Sequence, residues 1–178
     1  MLLVLIGCAA IAPPPGGPKD ETAPELASVE PPSGTTRIVA GLTIILTFSE
    51  RLQEALPEKA VRIEPVLRDP PEVVVNKDKI TVKLPDALAD EQTYILTVTR
   101  AIEDEHNNRL DKTYQFAYST GSSVSLGAIS GTVYDMEGNS SLVYLYKAEA
   151  SIDSLFLEQP DYYTETDDSG HYSFAYLD

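Results

Sequence analysis

Tryptophan is absent from the 178 residues, and cysteine occurs once, as Cys8. A single thiol cannot close an intramolecular disulfide, so any folded core must hold by packing alone. Histidine is almost missing too: His106 and His171 are the only two, and both fall in or beside turn-forming stretches. Residue types without spacing make no catalytic set, and no nucleophile, base and orienting acid stand in a recognisable pattern. Gly16-Gly17 is not a phosphate loop, because no strand precedes it and no Lys-Ser opens a helix after it. Positive charge is scarce: 13 Lys and Arg against 28 Asp and Glu leave a formal net charge of -15. Phosphates would be repelled, which excludes nucleic acid as a partner. Long hydrophobic runs are lacking as well. Residues 1–12 are apolar, but twelve residues rise only about 18 Å as a helix, against a hydrocarbon core of about 30 Å. Neither an enzyme nor a transmembrane anchor is expected.

What is present starts at that apolar run. Leu5-Ile6-Gly7-Cys8 resembles a bacterial lipobox, in which a signal peptidase cuts between Gly7 and Cys8. The resemblance implies diacylglycerol on the Cys8 sulfur, a palmitate-type acyl chain on the new N-terminus, and an outer-membrane lipoprotein of the cell envelope. Several acyl chains anchor firmly, since each buried methylene adds about 0.8 kcal/mol. No Lys or Arg precedes Cys8, where a secretory signal carries positive charge, so residues 1–7 read as an incomplete signal. Residues 8–24 then hold Pro13-Pro14-Pro15-Gly16-Gly17-Pro18 and Pro24, a composition suited to a solvated, partly extended spacer.

From residue 25 the pattern changes to short apolar alternations between turn residues. Strands are predicted over residues 27–30, 42–48, 61–64, 72–75, 79–84, 93–99 and 114–119. Leu42, Ile44, Leu46 and Phe48 share one face at the strand period of two. Asn76-Lys77-Asp78-Lys79 divides two apolar runs, so residues 73–84 read as a hairpin. Only residues 50–59 could hold a helical turn. About seven short strands suggest a two-sheet antiparallel sandwich over residues 25–121, with Lys, Glu, Thr and Arg facing water.

Several of these segments resemble the bacterial Ig-like domain of S-layer-type proteins. They are Pro31-Pro32-Ser33-Gly34, Ile44 to Phe48 with Ser49-Glu50, Leu88 through Thr93-Tyr94-Ile95-Leu96, and Ala101-Ile102-Glu103-Asp104-Glu105-His106-Asn107-Asn108-Arg109-Leu110. Asn107 stands where the family pattern has Gly, and Asn is among the residues that tolerate positive φ there. The lipobox, the Gly-Gly-Pro-Lys-Asp run and this domain together are similar to envelope lipoproteins of the Bacteroidota.

After a short linker, residues 122–126, a second β-segment occupies residues 127–178. Strands are expected over residues 128–135 and 142–146, with a hairpin joining 162–166 to 171–177 across Asp167-Asp168-Ser169-Gly170. Ile129-Ser130-Gly131-Thr132-Val133 and Thr166 through Phe174 resemble the carboxypeptidase-regulatory-like, transthyretin-like β-sandwich, a non-catalytic module. The resemblance implies further strands, so this segment reads as a second sandwich cut short and the fold class as all-β throughout. About fifty residues make a marginal core.

Two loops invite calcium. Asp104, Glu105, Asn107, Asn108 and Asp111 share one, with Asp104, Asn107 and Asp111 the candidate ligands; Asp135, Glu137 and Asn139 share the other. Calcium takes about six to eight oxygens, yet Asx-rich turns are also ordinary turn chemistry, and no cofactor is expected. Eight acidic residues and no Lys or Arg follow Lys147, the pattern of a solvated edge. Seven of the ten tyrosines lie from Tyr134 to Tyr176, which suits either cross-strand packing or a glycan platform. The expected function is that of a lipid-anchored envelope protein whose Ig-like domain is a structural, adhesive or protein-interaction module, with envelope or extracellular proteins as partners. A cell-surface carbohydrate-binding module is the alternative.

Overall fold

The computed structural model describes residues 17–58, 60–134, 141–146, 159–167 and 169–177, all in strands, turns and loops with no helix. Cys8, Gly7 and the second calcium loop (Asp135, Glu137, Asn139) lie outside these residues.

Alternation of β-branched and polar residues builds two four-stranded sheets. The first joins β1 (Leu26–Glu30), β3 (Thr43–Phe48), β6 (Lys79–Lys83) and β5 (Glu72–Asn76) in the order β1-β3-β6-β5. The second orders β2 (Thr35–Thr36), β8 (Tyr114–Ser119), β7 (Thr93–Val98) and β4 (Val61–Glu64) as β2-β8-β7-β4. Pairings are antiparallel except for β2, which lies parallel to β8. The two inner faces meet over one core: Ile44, Leu46, Phe48, Ile80 and Val82 on one side, Ile63, Tyr94, Leu96, Val98 and Tyr118 on the other. The fold is therefore the all-β sandwich expected.

The hairpin at residues 73–84 forms with Asn76 opposite Lys79. Asn107 takes φ of 69°, the left-handed conformation for which a short polar side chain is favoured. The stretch allowed a helical turn has none among its described residues; Leu52 instead forms a β-bridge with Asp104. That bridge places the β3–β4 loop against the β7–β8 turn, and Gln53 N donates to Glu103 O over 2.9 Å.

The expectation that Thr, Glu and Arg would face water fails on the outer face of the second sheet. There β9 (Gly127–Thr132), β10 (Leu142–Leu145), β11 (Tyr162–Glu165) and β12 (His171–Leu177) form two two-stranded sheets, β12-β9 and β10-β11. Tyr162, Phe174 and Leu177 close over Ile95, giving β7 a second buried face. Every residue of β7 is consequently buried, Thr93 and Thr97 included. The stretch read as a linker is fastened as well, since Ser125 N donates to Thr93 Oγ1 over 2.9 Å.

The hairpin expected between residues 162–166 and 171–177 is a corner instead. Gly170 N donates to Asp167 O over 2.9 Å, so the chain reverses, but β11 pairs with β10 and β12 with β9. The turn signal was sound, and the partners were not those adjacent in sequence. Packing decides it: Tyr162 and Phe174, from different sheets, converge on the same Ile95.

Candidate functional site

Two places on this framework gather chemistry. The first is the end of the sandwich where the N-terminal arm, the β3–β4 loop and the β7–β8 turn meet. Asp104 anchors it and is fully buried. Its Oδ1 accepts from His106 N over 2.7 Å and from Asn108 N over 2.8 Å, while Oδ2 accepts from Asn108 Nδ2 over 2.9 Å. Burial works against its ionisation, but these donors hold the carboxyl below the usual aspartate range.

Asp20 arrives from the arm. Its Oδ2 lies 3.4 Å from His106 Nδ1, and its carbonyl accepts from Asn108 Nδ2 over 3.3 Å. Glu50 arrives from the end of β3. One ligand atom from each of Asp20, Glu50, Asp104 and His106 falls within 4.8 Å of the others. Burial first, then the charges of Asp104 and Asp20 beside it, raises the Glu50 carboxyl above its ordinary value.

Of the calcium candidates Asp104, Asn107 and Asp111, only Asp104 belongs to this cluster. Asn107 Oδ1 accepts from Gln53 Nε2 over 3.0 Å, and Asp111 is exposed where the chain enters β8. The companions of Asp104 are remote in sequence. No local spacing announces Asp20 or Glu50 as neighbours of the turn.

The second place is the seam between β4 and the C-terminal strands. Arg62 and Glu64 project from the outer face of β4, with side chains 10% and 3% exposed. Glu64 Oε1 accepts from Tyr163 N over 2.9 Å, and Arg62 Nη2 donates to Tyr163 O over 2.9 Å. The Arg62 guanidinium sits 3.9 Å over the Tyr163 ring centroid, and its Nε is 3.6 Å from Glu64 Oε1. Beside this clasp an open groove of about 1010 Å³ runs between the loop carrying Val66, Leu67 and Pro70 and the rings of Tyr144, Tyr146 and Tyr163.

The chain's relationships agree with this architecture. Residues 20–120 match the family model of the bacterial Ig-like domain. The chain belongs to that family. It is a non-catalytic type of module, and the matched region spans both four-stranded sheets together with Asp20. The structure also shares likeness with the crystal structure of the N-terminal part of the bacterial S-layer protein SbsC, at 19% identity and a TM-score of 0.38, over 71% of this chain and 36% of that one. No curated protein matches the chain.

Proposed function

We propose that this protein is a lipid-anchored component of the bacterial cell envelope whose Ig-like sandwich serves as a structural, adhesive or protein-interaction module. The Ig-like family match over residues 20–120 carries the reading. The Leu5-Ile6-Gly7-Cys8 lipobox and the Pro/Gly spacer after it supply the anchor and its reach, in the manner of outer-membrane lipoproteins of the Bacteroidota. The segment organisation follows: signal 1–7, acylated Cys8 with spacer 8–24, Ig-like domain 25–121, junction 122–126, and a carboxypeptidase-regulatory-like β-unit over 127–178. The work of such a chain is placement, holding a sandwich at a set distance from a membrane for partners to meet.

Replacement Cys8→Ser should abolish fatty-acid labelling in a bacterial host and move the product from the membrane to the soluble envelope fraction. Membrane association that survives the substitution would remove the anchor from this account.

A glycan-binding reading has one specific observation in its favour. The Tyr144 and Tyr163 rings lie 6.3 Å apart at 47°, beside the groove that Glu58, Gln159 and Glu165 also line. Aromatic faces stack on sugar rings and flanking carboxylates accept from hydroxyls. On this reading, a glycan array probed with the intact protein should show a consistent saccharide class, lost on Tyr144→Ala. An array without signal disposes of it.

A further inference from the structure

The cluster of Asp20, Glu50, Asp104 and His106 is built from three chain segments that the sandwich brings together, and its charge is uncompensated. The neighbouring arginines are committed elsewhere, Arg51 to Glu105 over 3.6 Å and Arg109 to Glu103 over 2.8 Å. Among the described residues, no Lys or Arg lies within ion-pair distance of Asp20, Glu50 or Asp104. Their sole cationic neighbour is His106, which needs a proton to act as one. The buried Asp104 accepts from the His106 and Asn108 amides and the Asn108 side chain, and its carboxyl also meets that of Glu50.

Three convergent carboxylates with one imidazole are a mixed oxygen–nitrogen donor set. We propose that Asp20, Glu50, Asp104 and His106 form a binding site for a divalent cation of the zinc class, one that closes the N-terminal arm onto the end of the sandwich. The imidazole decides the class. Calcium and magnesium are held by oxygen, whereas zinc accepts imidazole and carboxylate together. Tetrahedral zinc, with bonds of about 2.0–2.2 Å, sets its ligand atoms roughly 3.3–3.6 Å apart. The His106 Nδ1 to Asp20 Oδ2 separation is 3.4 Å, and all four atoms fall within 4.8 Å. Asp104 is fixed in the turn, where Oδ2 accepts from Asn108 Nδ2 and the carboxyl meets that of Glu50. Asp20 and His106, with side chains 34% and 59% exposed, have the freedom to close the remaining distance.

A cation here would have a positional consequence. Asp20 lies within the segment read as spacer, just after its Pro/Gly run, so binding would shorten the free tether and stiffen the domain's attachment to it. The inference stands on these four side chains and holds whether or not Cys8 carries lipid.

The test is calorimetric titration of the intact chain with zinc chloride, and separately with calcium chloride. One zinc per chain is expected, with calcium weaker by at least about tenfold. Asp20→Asn and His106→Gln should each weaken zinc by at least about tenfold, as loss of a ligand does. His171→Gln, at the other histidine, should leave it unchanged. Glu50→Gln keeps a group that can hydrogen-bond to Asp104 and removes the charge, so it guards against a folding artefact, and it too should weaken zinc. Zinc should also slow proteolysis of residues 17–25. Absence of zinc binding, binding indifferent to both Asp20→Asn and His106→Gln, or binding lost with His171→Gln overturns the site. Tighter binding of calcium than of zinc overturns the donor assignment.

Discussion

Ile95→Asp should detach the C-terminal β-segment while leaving the Ig-like sandwich folded. Ile95 is 2% exposed, yet it belongs to the outer face of β7, the face that would meet water if the sandwich stood alone. Tyr162, Phe174 and Leu177, with Val143, Leu145, Tyr172 and Tyr176 packed against the same cluster, make it a core position. A carboxylate there has two escapes. It can stay covered without a partner, which costs several kcal/mol. Or the covering strands can lift, giving up roughly 1.5–3 kcal/mol for each large apolar side chain re-exposed. Because the second escape returns the charge to water, the docked state should lose at least about 3 kcal/mol relative to the undocked one, roughly a hundredfold in population. Limited proteolysis should then cut within residues 122–134 about a hundred times faster, and the melting of the sandwich should stay cooperative. Ile95→Val, which removes one methylene, should cost about 0.5–1.5 kcal/mol and leave the segment docked. An Ile95→Asp protein as resistant to protease as the parent would mean that the segment is not held through this face.

The same position shows where sequence reading reached and where it stopped. Strands β3 to β8 were legible because alternation at a period of two, rich in Val, Ile and Thr, has one physical meaning: a sheet buried on one side. That rule assigns the outer side to solvent, and Thr93, Thr97, Arg62 and Glu64 look like solvent residues. Their burial comes from segments remote in the chain, Ser125 over Thr93 and Tyr163 over Arg62 and Glu64 among them, which no local pattern records. Ile95, an aliphatic residue between two threonines on that face, was the sole local signal. β2 has no local signature because two residues carry no period, and its place beside β8 depends on tertiary pairing.

The cluster around Asp104 follows the same logic. The turn composition points to Asp104 and offers companions from the same loop. The fold brings Asp20 and Glu50 instead, from a segment read as spacer and from the end of a strand. Local composition can identify a carboxylate that a turn will hold; it cannot say which distant carboxylates will face it. Asn107 went the other way. The demand for positive φ is a property of one residue in one turn, and its φ of 69° was accessible from sequence.

Arg62→Ala should be among the most damaging single substitutions at the seam, and its cost should depend on pH. Removing one member of a buried ion pair costs about 3–5 kcal/mol, because the other charge stays behind uncompensated. Part of the loss is independent of pH: the cation–π contact with Tyr163, about 0.5–2 kcal/mol, and the hydrogen bond to Tyr163 O. The remainder belongs to Glu64. Burial raises its carboxyl above the ordinary value of 4.5, against the lowering influence of the Tyr163 amide and of Arg62. With the folded pKa above the unfolded one, the folded state binds the proton more tightly. Glu64 therefore contributes stability that is full below the unfolded value and is lost as pH rises through the folded pKa. Without Arg62 that folded pKa climbs further and the loss at neutral pH deepens. Urea unfolding should accordingly show an Arg62→Ala penalty near pH 4 set by the lost contacts with Tyr163, and a clearly larger penalty at pH 7. Glu64→Gln keeps an oxygen to accept from Tyr163 N and carries no charge. Added to Arg62→Ala, it should restore part of the neutral-pH stability and flatten the pH dependence. A penalty equal at both pH values, with no rescue by Glu64→Gln, would show that Arg62 acts through Tyr163 alone and that the buried carboxylate does not need it.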